Sequence, residues 1–323
     1  MRACAVVGKF SLKVQPLFEL TKAQIEEFAV HKASYLPEQI RTSRTFRPAI
    51  REHVRSLSEL AEPTVCARRQ EFIRSELGVD EFRERVLLQD GAKVIVGGVR
   101  FKNLDSKFPF VELNANFDLF ESTVIEDAAA VARQQFGKFA PKGILIVGAP
   151  DVAVSSAIER WGHTVGGRST PFCRASLPIG LTCSFPAEID FYEEYRAAYA
   201  AWQATSPRLS GYVSPEPRSD LEASAAKGLM VSLADATGWC GAAAARERVL
   251  YGTRALYIFE IFLVERWRGK GAAKAVDAAL VASAASSYSI VWEHIHSENW
   301  PSLRLAFAQG RSVLETEYFF RYQ

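Results

Sequence analysis

Residues 257–285, YIFEIFLVERWRGKGAAKAVDAALVASAA, contain the pattern that decides the fold of the second half of the chain. Residues 257–264 form an apolar run typical of a strand, and the alanine-rich residues after 273 place Val276 and Leu280 on one helical face. Between these two patterns lies RWRGKGAA, residues 266–273, with two glycines and three cations. The stretch therefore predicts a strand, a glycine loop and the start of a helix.

The glycine loop has the chemistry of an anion site. Gly269 and Gly271 allow successive backbone N–H groups to approach a ligand, and the helix that starts there adds its positive end. Arg266, Arg268 and Lys270 add full positive charges. A tight turn before a helix would also use two glycines. The density of cations nevertheless favours a diphosphate as the ligand.

Length and composition bound the class of protein. The chain has 323 residues, of which 48% are apolar and 24% charged, which is enough for two globular domains. The net charge of +2 argues against extensive nucleic-acid binding. The five cysteines form no CxxC pair and no metal-binding spacing, so we expect reduced thiols and no metal. No secretory signal or membrane-spanning run is apparent, and we therefore expect a cytoplasmic protein.

The order of patterns along the chain indicates two domains, at residues 1–175 and 187–323. Residues 166–186 have glycines followed by three prolines and little periodicity, which places the junction near 170–186. The first domain is predicted to contain an extended segment at 3–18, a helix opened by a capping box at Thr21, a helical insertion at about 37–90, strands at 93–101, 110–119 and 143–147, and helices at 123–136 and about 152–161. The second is predicted to contain helices at 189–202, 221–226 and 301–309, a hairpin at 229–246, strands at 290–295 and 313–322, and the strand, loop and helix described above.

The helical insertion contains a regular series of arginines. Arg41, Arg44, Arg47, Arg51 and Arg55 recur every three or four residues, so a continuous helix would carry a basic stripe. A solvated helix face balanced by neighbouring glutamates is the simpler interpretation. If the stripe has a function, it suits an anionic acceptor or a carrier protein.

The two halves align with a constant offset of 148 residues, which suggests a duplication. Three landmarks of the first half, Val147, Asp151 and Gly162, fall on Ile295, Asn299 and Gly310. Each set reads as a strand end, a helix cap and the glycine that closes the helix.

The same offset separates the two halves in function. Gly269, Lys270 and Gly271 fall on Glu121, Ser122 and Thr123, and Arg268 falls on Phe120. The first half thus has a carboxylate in place of the phosphate-binding glycines, and we expect only the second half to bind a diphosphate.

The loop and its surroundings resemble the GNAT superfamily of acyl-CoA-dependent N-acyltransferases. The family motif Arg/Gln-x-x-Gly-x-Gly/Ala occurs here in two registers, at residues 266–271 and 268–273. The second family segment, an Asn that begins a helix with a glycine eleven residues later, corresponds to Asn299 and Gly310. The resemblance implies an α/β fold of two tandem GNAT-like domains, each a mixed, largely antiparallel sheet flanked by helices, with a degenerate N-terminal copy.

The resemblance also implies a site for acetyl-CoA, or another acyl-CoA, as co-substrate. The backbone amides of the loop would hold its pyrophosphate, the end of the preceding strand would pair with its pantetheine arm, and Asn299 would contact that arm. The implied residues are Phe262, Leu263, Val264, Gly269, Lys270, Gly271, Ala272, Ala273 and Asn299, with the charges of Arg266 and Arg268 beside the loop.

Direct transfer to an amine requires a base for the nucleophile and an acid for the departing thiolate. Glu260, on the strand before the loop, is the first candidate for the base, although it could simply pair with an arginine. Glu293, His294 and His296 are the other candidates.

The acid is harder to place. The family often takes it from a Tyr seven residues after the Asn, and this position is Ala306. Ser302, Tyr318 or a water could serve instead, or no acid is needed. Cys240 is predicted to be a buried structural thiol rather than a nucleophile.

We therefore predict an N-acyltransferase, most simply an acetyltransferase, that acts on the amine of a small molecule. Residues 191–217, rich in aromatics and prolines, could form a lid over the acceptor, although core packing would explain their aromatics as well. A protein or peptide acceptor, or a non-catalytic coenzyme A binding module, are the alternatives. The sequence does not indicate the oligomeric state.

Overall fold

The computed structural model describes residues 20–36, 38–41, 59–102, 105–120, 124–154, 158–169 and 176–322. It divides into two compact units. The first comprises residues 1–161 and 315–323, and the second comprises residues 162–314. Both are mixed α/β structures, as the sequence predicts. In the described ranges no helix is both long and apolar enough to cross a membrane.

The first unit is a sheet in the order β1-β2-β3-β4-β11. The β3–β4 pair is parallel and the other three pairs are antiparallel. One face of the sheet packs on a helix through Ala128, Ala132 and Phe136. The elements are α1 (Lys22–Tyr35), α2 (Glu38–Arg41), α3 (Pro63–Ile73), β1 (Arg85–Asp90), β2 (Lys93–Phe101), β3 (Pro109–Ala115), α4 (Val124–Gln135), β4 (Gly143–Gly148) and β11 (Ser312–Arg321).

The second unit repeats this order in the sheet β6-β7-β8-β9-β10-β5. Its parallel pair is β9–β10. One face packs on α8 through Val276 and Leu280, and the other packs on α5 and α7 through Tyr195 and Leu221. The elements are β5 (Ile158–Arg168), β6 (Thr182–Ser184), α5 (Tyr192–Thr205), α6 (Pro207–Ser210), α7 (Arg218–Ala225), β7 (Met230–Asp235), β8 (Gly238–Leu250), β9 (Thr253–Leu263), α8 (Ala272–Ala284), β10 (Ile290–His296) and α9 (Trp300–Ala308).

Each unit takes its last strand from the other half of the sequence. In the first unit β11 pairs with β4, antiparallel, from Thr316 to Arg321. In the second unit β5 pairs with β10 in the same way, from Gly162 to Arg168. The units therefore divide within β5 and β11, whereas the sequence predicted a junction at 170–186 and domains at 1–175 and 187–323. The paired residues are 122 to 134 positions apart in β5–β10 and 168 to 178 apart in β11–β4. Pairing over such separations leaves no mark in local composition, which explains the difference.

The helix predicted at about 152–161 is wrong. Residues 152–154 form no helix, and β5 begins at Ile158. Gly162 is therefore a strand residue opposite His296, whereas Gly310 follows α9 with a φ of 75°. The three-landmark alignment fails at Gly162, although the order strand, strand, strand, helix, strand does recur in both halves. Among the described residues, a further helix, α9, precedes the last strand in the second half only.

The helical insertion predicted at 37–90 is shorter than expected. Its last residues, 85–90, form β1, which pairs with β2 with a register shift between Val86 and Leu88. Leu87 and Leu88 are both buried. The capping box at Thr21 is confirmed, because its Oγ1 accepts from the Gln24 N–H. The extended segment at 3–18, Glu121 to Thr123, and the arginine stripe beyond Arg41 lie outside the described residues.

Candidate active site

Two parallel strands part in the middle of the second unit. β9 and β10 pair only at Val291 with Leu256 and at Trp292 with Tyr257. Beyond these pairs β9 continues to Leu263 and β10 continues to His296. Because the other edge of β9 is paired with β8 along its length, the parted edge offers backbone donors and acceptors to an extended ligand.

The glycine loop lies at the end of β9, after a short 3₁₀ turn at Glu265–Trp267. Gly269 and Gly271 adopt φ values of 72° and 83°, which side chains disfavour, and a Cβ at either would meet open space. Gly271 is the N-cap of α8 and supplies no side-chain cap. Within the described ranges, the N–H groups of residues 269–274 have no hydrogen-bond partner. The loop thus presents a row of free donors at a helix N-terminus, which is the geometry of a phosphate site.

The three cations of the loop have different surroundings. Arg266 is directed away, because its Nε and Nη2 donate to the Asp235 carboxylate at 2.8 and 3.3 Å. That hydrogen bonding holds the pKa of Asp235 well below its usual range. Arg268 donates from Nε to the Leu263 carbonyl at 2.8 Å and lies over the Phe262 ring. Lys270 is exposed, so it remains available to an anion at the loop.

The residues at the end of β9 present backbone rather than side chain. Phe262 is buried in an aromatic cluster and stacks on Tyr199, with 4.8 Å between ring centroids. Leu263 packs in the core beneath α8, and Val264 donates its N–H to the Cys240 carbonyl. The Val264 N–H and the Leu263 carbonyl are therefore already engaged, so main-chain pairing with a ligand here would use other backbone groups of the parted edge.

Glu260 lies on β9 next to a β-bulge. The register with β8 shifts between Ala244 and Ala245, so that Phe259 is an extra residue on β9. The Glu260 side chain is only 7% exposed, and its Oε2 accepts from the Tyr195 hydroxyl at 2.5 Å. Burial raises the pKa of Glu260 to about 8. A carboxyl with this pKa is matched to proton transfer near neutral pH.

A hydrogen-bond chain holds the Glu260 carboxyl in place. The Tyr195 hydroxyl, which donates to Glu260, accepts in turn from the Glu216 N–H at 2.8 Å. Burial, and then the Glu260 charge, raise the pKa of Tyr195, so the phenol stays protonated and donates. The partner of Glu260 is thus a phenol and not the arginine that the sequence left as an alternative.

Glu293 is held differently. Its Oε1 accepts from Arg311 Nη1 at 2.6 Å, and Arg311 Nη2 donates to Asp277 Oδ1 at 2.6 Å. All three side chains are buried, and burial raises the pKa of Glu293 to about 7. The triad ties β10 to α8, so Glu293 is occupied as a structural group.

The remaining candidates are spread over β10, α9 and the first unit. Asn299 caps α9, and its Oδ1 accepts from the Ser302 N–H at 3.4 Å. Ser302 is half-buried in the first turn of that helix, and His294 is exposed on β10. The ring of His296 stacks on Tyr212 with 3.9 Å between centroids.

Two further positions bear on the general acid. Ala306 is fully buried and packs with Val165, Ile295 and Leu303, so this position of α9 faces the core. Tyr318 lies in the first unit, where its hydroxyl donates to the Ala149 carbonyl at 2.6 Å. The loop, Glu260 and Asn299 all belong to the second unit.

Cys240 is buried, and burial raises the pKa of its thiol to about 11. A thiol with this pKa is protonated at neutral pH and is a poor nucleophile. Within the described ranges, no cluster of three His, Cys, Asp or Glu side chains is placed to hold a metal.

Sequence reasoning missed Tyr195 and Glu216 as partners of Glu260. From the sequence, Tyr195 is one of several aromatic residues in the possible lid, residues 191–217. The structure buries Tyr195 and Tyr199 in the core, while Tyr212 remains exposed. No local signal reports a contact across 65 residues, but a buried helix face that carries two tyrosines opposite a strand glutamate is a pattern worth testing.

Comparisons with known proteins give similar folds only. No family model and no curated protein matches the chain. A GCN5-related N-acetyltransferase from Sphaerobacter thermophilus is similar over 94% of this chain and 98% of its own, with 12% identity and a TM-score of 0.49. A GNAT-family acetyltransferase from Colwellia psychrerythraea is similar over 81% of this chain and 96% of its own, with 12% identity and a TM-score of 0.47.

A tandem GNAT protein from the clavulanic acid biosynthesis pathway is similar over 73% of this chain and 81% of its own. Its sequence is 11% identical and the TM-score is 0.43. All three TM-scores lie below 0.5, and we therefore base the function on the residues of this chain.

Proposed function

We propose that the chain is an acyl-CoA-dependent N-acyltransferase of the GNAT type, with its site in the second unit. The observation that carries the proposal is the parting of β9 and β10 beside a loop of free N–H groups at residues 269–274. The parted strand edge would pair with an extended thiol arm, and the loop that follows it would bind a diphosphate. The first unit is proposed to bind no diphosphate.

Coenzyme A would bind along β9. The N–H groups of residues 269–273 and the Lys270 ammonium would receive the diphosphate, and the parted edge of β9 at Phe262 to Val264 would pair with the pantetheine amides. Asn299, at the start of α9, would contact the arm. Arg266 and Arg268 would act indirectly, because their hydrogen bonds to Asp235 and to the Leu263 carbonyl fix the loop and the strand end.

Glu260 is the proposed general base. Its pKa of about 8 lets it accept a proton from the acceptor ammonium, through a water where the distance requires one. The free amine then attacks the thioester carbon, the C–S bond breaks, and the coenzyme A thiolate leaves. Ser302 and His294 are the candidates for the proton that this thiolate takes up, because Ala306 provides none.

The acceptor is proposed to be a small-molecule amine. A peptide acceptor would react by the same chemistry, and a panel of acceptors that includes peptides would detect it. The buried Ala306 favours one further candidate function, a coenzyme A binding module without catalysis, because the position that often supplies an acid is part of the core.

The test compares coenzyme A binding and acyl transfer in matched variants. With acetyl-CoA and a panel of amines, we expect acceptor-dependent release of free thiol. Gly271→Glu should weaken coenzyme A binding by about 100-fold or more, since it places a carboxylate where the diphosphate lies. Gly228→Glu is the control, because Gly228 is also exposed, with a φ of 66° and open space around its Cα.

Two results would contradict the proposal. Equal coenzyme A affinity in the Gly271→Glu and wild-type proteins would remove the loop as the diphosphate site. Coenzyme A binding without thiol release for any small amine or peptide would leave the non-catalytic module as the function.

A further inference from the structure

One face of the second unit's sheet carries two arginines over an aromatic surface. On β8 and β9, Arg246 pairs with Tyr257, and on β10 Trp292 pairs with Tyr257, so the three side chains share a face. The Tyr257 and Trp292 rings lie 4.4 Å apart. The guanidinium of Arg246 lies 4.6 Å from the Phe259 ring, and that of Arg248 lies 4.7 Å from the Tyr257 ring. We call this the Arg248 face; it consists of Arg246, Arg248, Tyr257, Phe259 and Trp292.

Two donors on the Arg248 face are buried without an acceptor. Arg246 Nη1 donates to Asp220 Oδ2 at 2.9 Å, but Arg246 Nε finds no acceptor within the described ranges, and neither does Trp292 Nε1. A buried donor without an acceptor costs free energy, so such donors mark positions where a ligand oxygen is expected. Both donors flank Tyr257, and because each donor atom is buried, a ligand bound there would meet them after a local shift of the neighbouring side chains.

Arg248 adds a second positive charge to the same surface, near Glu216 and Tyr257. It is exposed and makes no hydrogen bond or ion pair with any other described residue. A guanidinium held over an aromatic ring keeps its planar fork of donors in place, which favours a carboxylate with two oxygens. Two carboxylates lie near these arginines: Asp220 pairs with Arg246, and Glu216, whose pKa burial raises, also interacts electrostatically with both arginines.

The Arg248 face lies on the same side of the sheet as the proposed base. Glu260 follows Tyr257 by three residues on β9, and the bulge at Phe259 brings it to this face, where it meets Tyr195 of α5. Three strand residues span about 10 Å. An amino acid and one bridging water would together span this distance. The carboxylate of the amino acid would then lie over Tyr257, and the water would reach the Glu260 carboxyl that takes up the proton.

We propose that the Arg248 face binds a carboxylate of the acceptor, so that the substrate class is an amine that also carries a carboxyl group, such as an amino acid. The inference rests on the proposed function, because it names the acceptor of that reaction. Arg248 and the indole N–H of Trp292 hold the carboxylate, and the amine is directed along β9 towards Glu260 and the thioester.

The transfer experiment compares amino acids with their amides, which keep the amine and lose the charge. We expect kcat/KM to be at least about 10-fold higher for the acids, because only they form charge-assisted hydrogen bonds. Arg248→Leu should raise KM for the acids by about 10-fold and leave the amides within about 3-fold. KM for acetyl-CoA should not change. Arg254→Leu is the matched control, since Arg254 is an exposed arginine on β9 that pairs with Glu247 on the opposite face.

A second variant and a binding measurement test this inference separately from the proposed function. Trp292→Phe, which keeps an aromatic ring and removes the N–H, should raise KM for the acids by about 3-fold or more. Calorimetry with N-acetyl amino acids and their amides, in the presence of coenzyme A, reports carboxylate binding without chemistry. Binding of the acids that Arg248→Leu weakens by about 10-fold, in a protein that transfers to no amine, would contradict the proposed function and retain the carboxylate site.

The carboxylate inference is overturned if amides and acids are acetylated or bound equally well. It is also overturned if Arg248→Leu weakens the binding of acids and amides by the same factor, because Arg248 would then not distinguish a carboxylate from a neutral amide. Either result could occur alongside robust acetyl transfer, which would leave the proposed function in place.

Discussion

The two faces of the second unit's sheet each bury a glutamate, and the two glutamates have different partners. Glu260 accepts from a neutral phenol, Tyr195, and Glu293 is paired with the guanidinium of Arg311. Burial raises the pKa of both, to about 8 and about 7. A raised pKa alone therefore does not distinguish a base from a structural carboxyl. The hydrogen-bond partner distinguishes them. Arg311 joins Glu293 to Asp277 in a buried ion-pair triad, while Tyr195 leaves Glu260 free to gain and lose a proton.

The largest effect should come from removing the two carboxylates separately. Glu260→Gln is expected to lower kcat/KM by about 10²–10⁴-fold, the usual contribution of a general base. Glu293→Gln should leave kcat/KM within about 3-fold, since Gln can still accept from Arg311. Initial rates of thiol release, measured with both variants, check this. Equal losses in the two variants would mean that the faces do not differ in function.

The pH dependence of the same variants sharpens the contrast. Activity of the wild type should fall as pH drops below about 8, because protonated Glu260 accepts no proton. Since the folded-state pKa is raised, the contribution of Glu260 to stability is present below pH 4.5 and is lost as pH rises through about 8. Glu260→Gln should therefore unfold at a higher temperature than the wild type at pH 8.5. A lower unfolding temperature would show that the ionised carboxylate is stabilised rather than strained.

A smaller effect on transfer and a larger one on stability are expected from Arg311→Met. Removing the guanidinium leaves Asp277 and Glu293 buried without a cation, which typically costs about 3–5 kcal/mol. Both carboxyls then resist ionisation more strongly, so the loss should be greater at pH 8 than at pH 5. Chemical denaturation at the two pH values measures it. A pH-independent loss would show that the arginine acts by packing alone.

Sequence reasoning reached the local features of the site and missed the long-range ones. The strand, the glycine loop and the helix start at residues 257–285 were predictable, because period and glycine spacing are local signals. The exchange of β5 and β11 between the two halves was not predictable, since each of these strands pairs with residues at least 122 positions away in the sequence. The segment at 158–168 has too little apolar periodicity to separate a strand from a helix, and its pairing with β10 decides the matter.

The same limit applies to the chemistry. Glu260 was identified from its position on the strand before the loop, but its phenolic partner lies on a helix 65 residues away. The positive charges of Arg266 and Arg268 in the loop sequence predict that both arginines bind the diphosphate. Their actual acceptors, Asp235 and the Leu263 carbonyl, depend on how the hairpin and the strand end come together.

The central claim is that the loop and the parted strands of the second unit hold coenzyme A, and a crystal structure of the protein grown with coenzyme A tests it most directly. We predict the diphosphate within hydrogen-bonding distance of the N–H groups of residues 269–273, and the pantetheine arm between β9 and β10 with its thiol towards Glu260. Coenzyme A bound elsewhere, with the loop at 269–273 empty, would contradict the account.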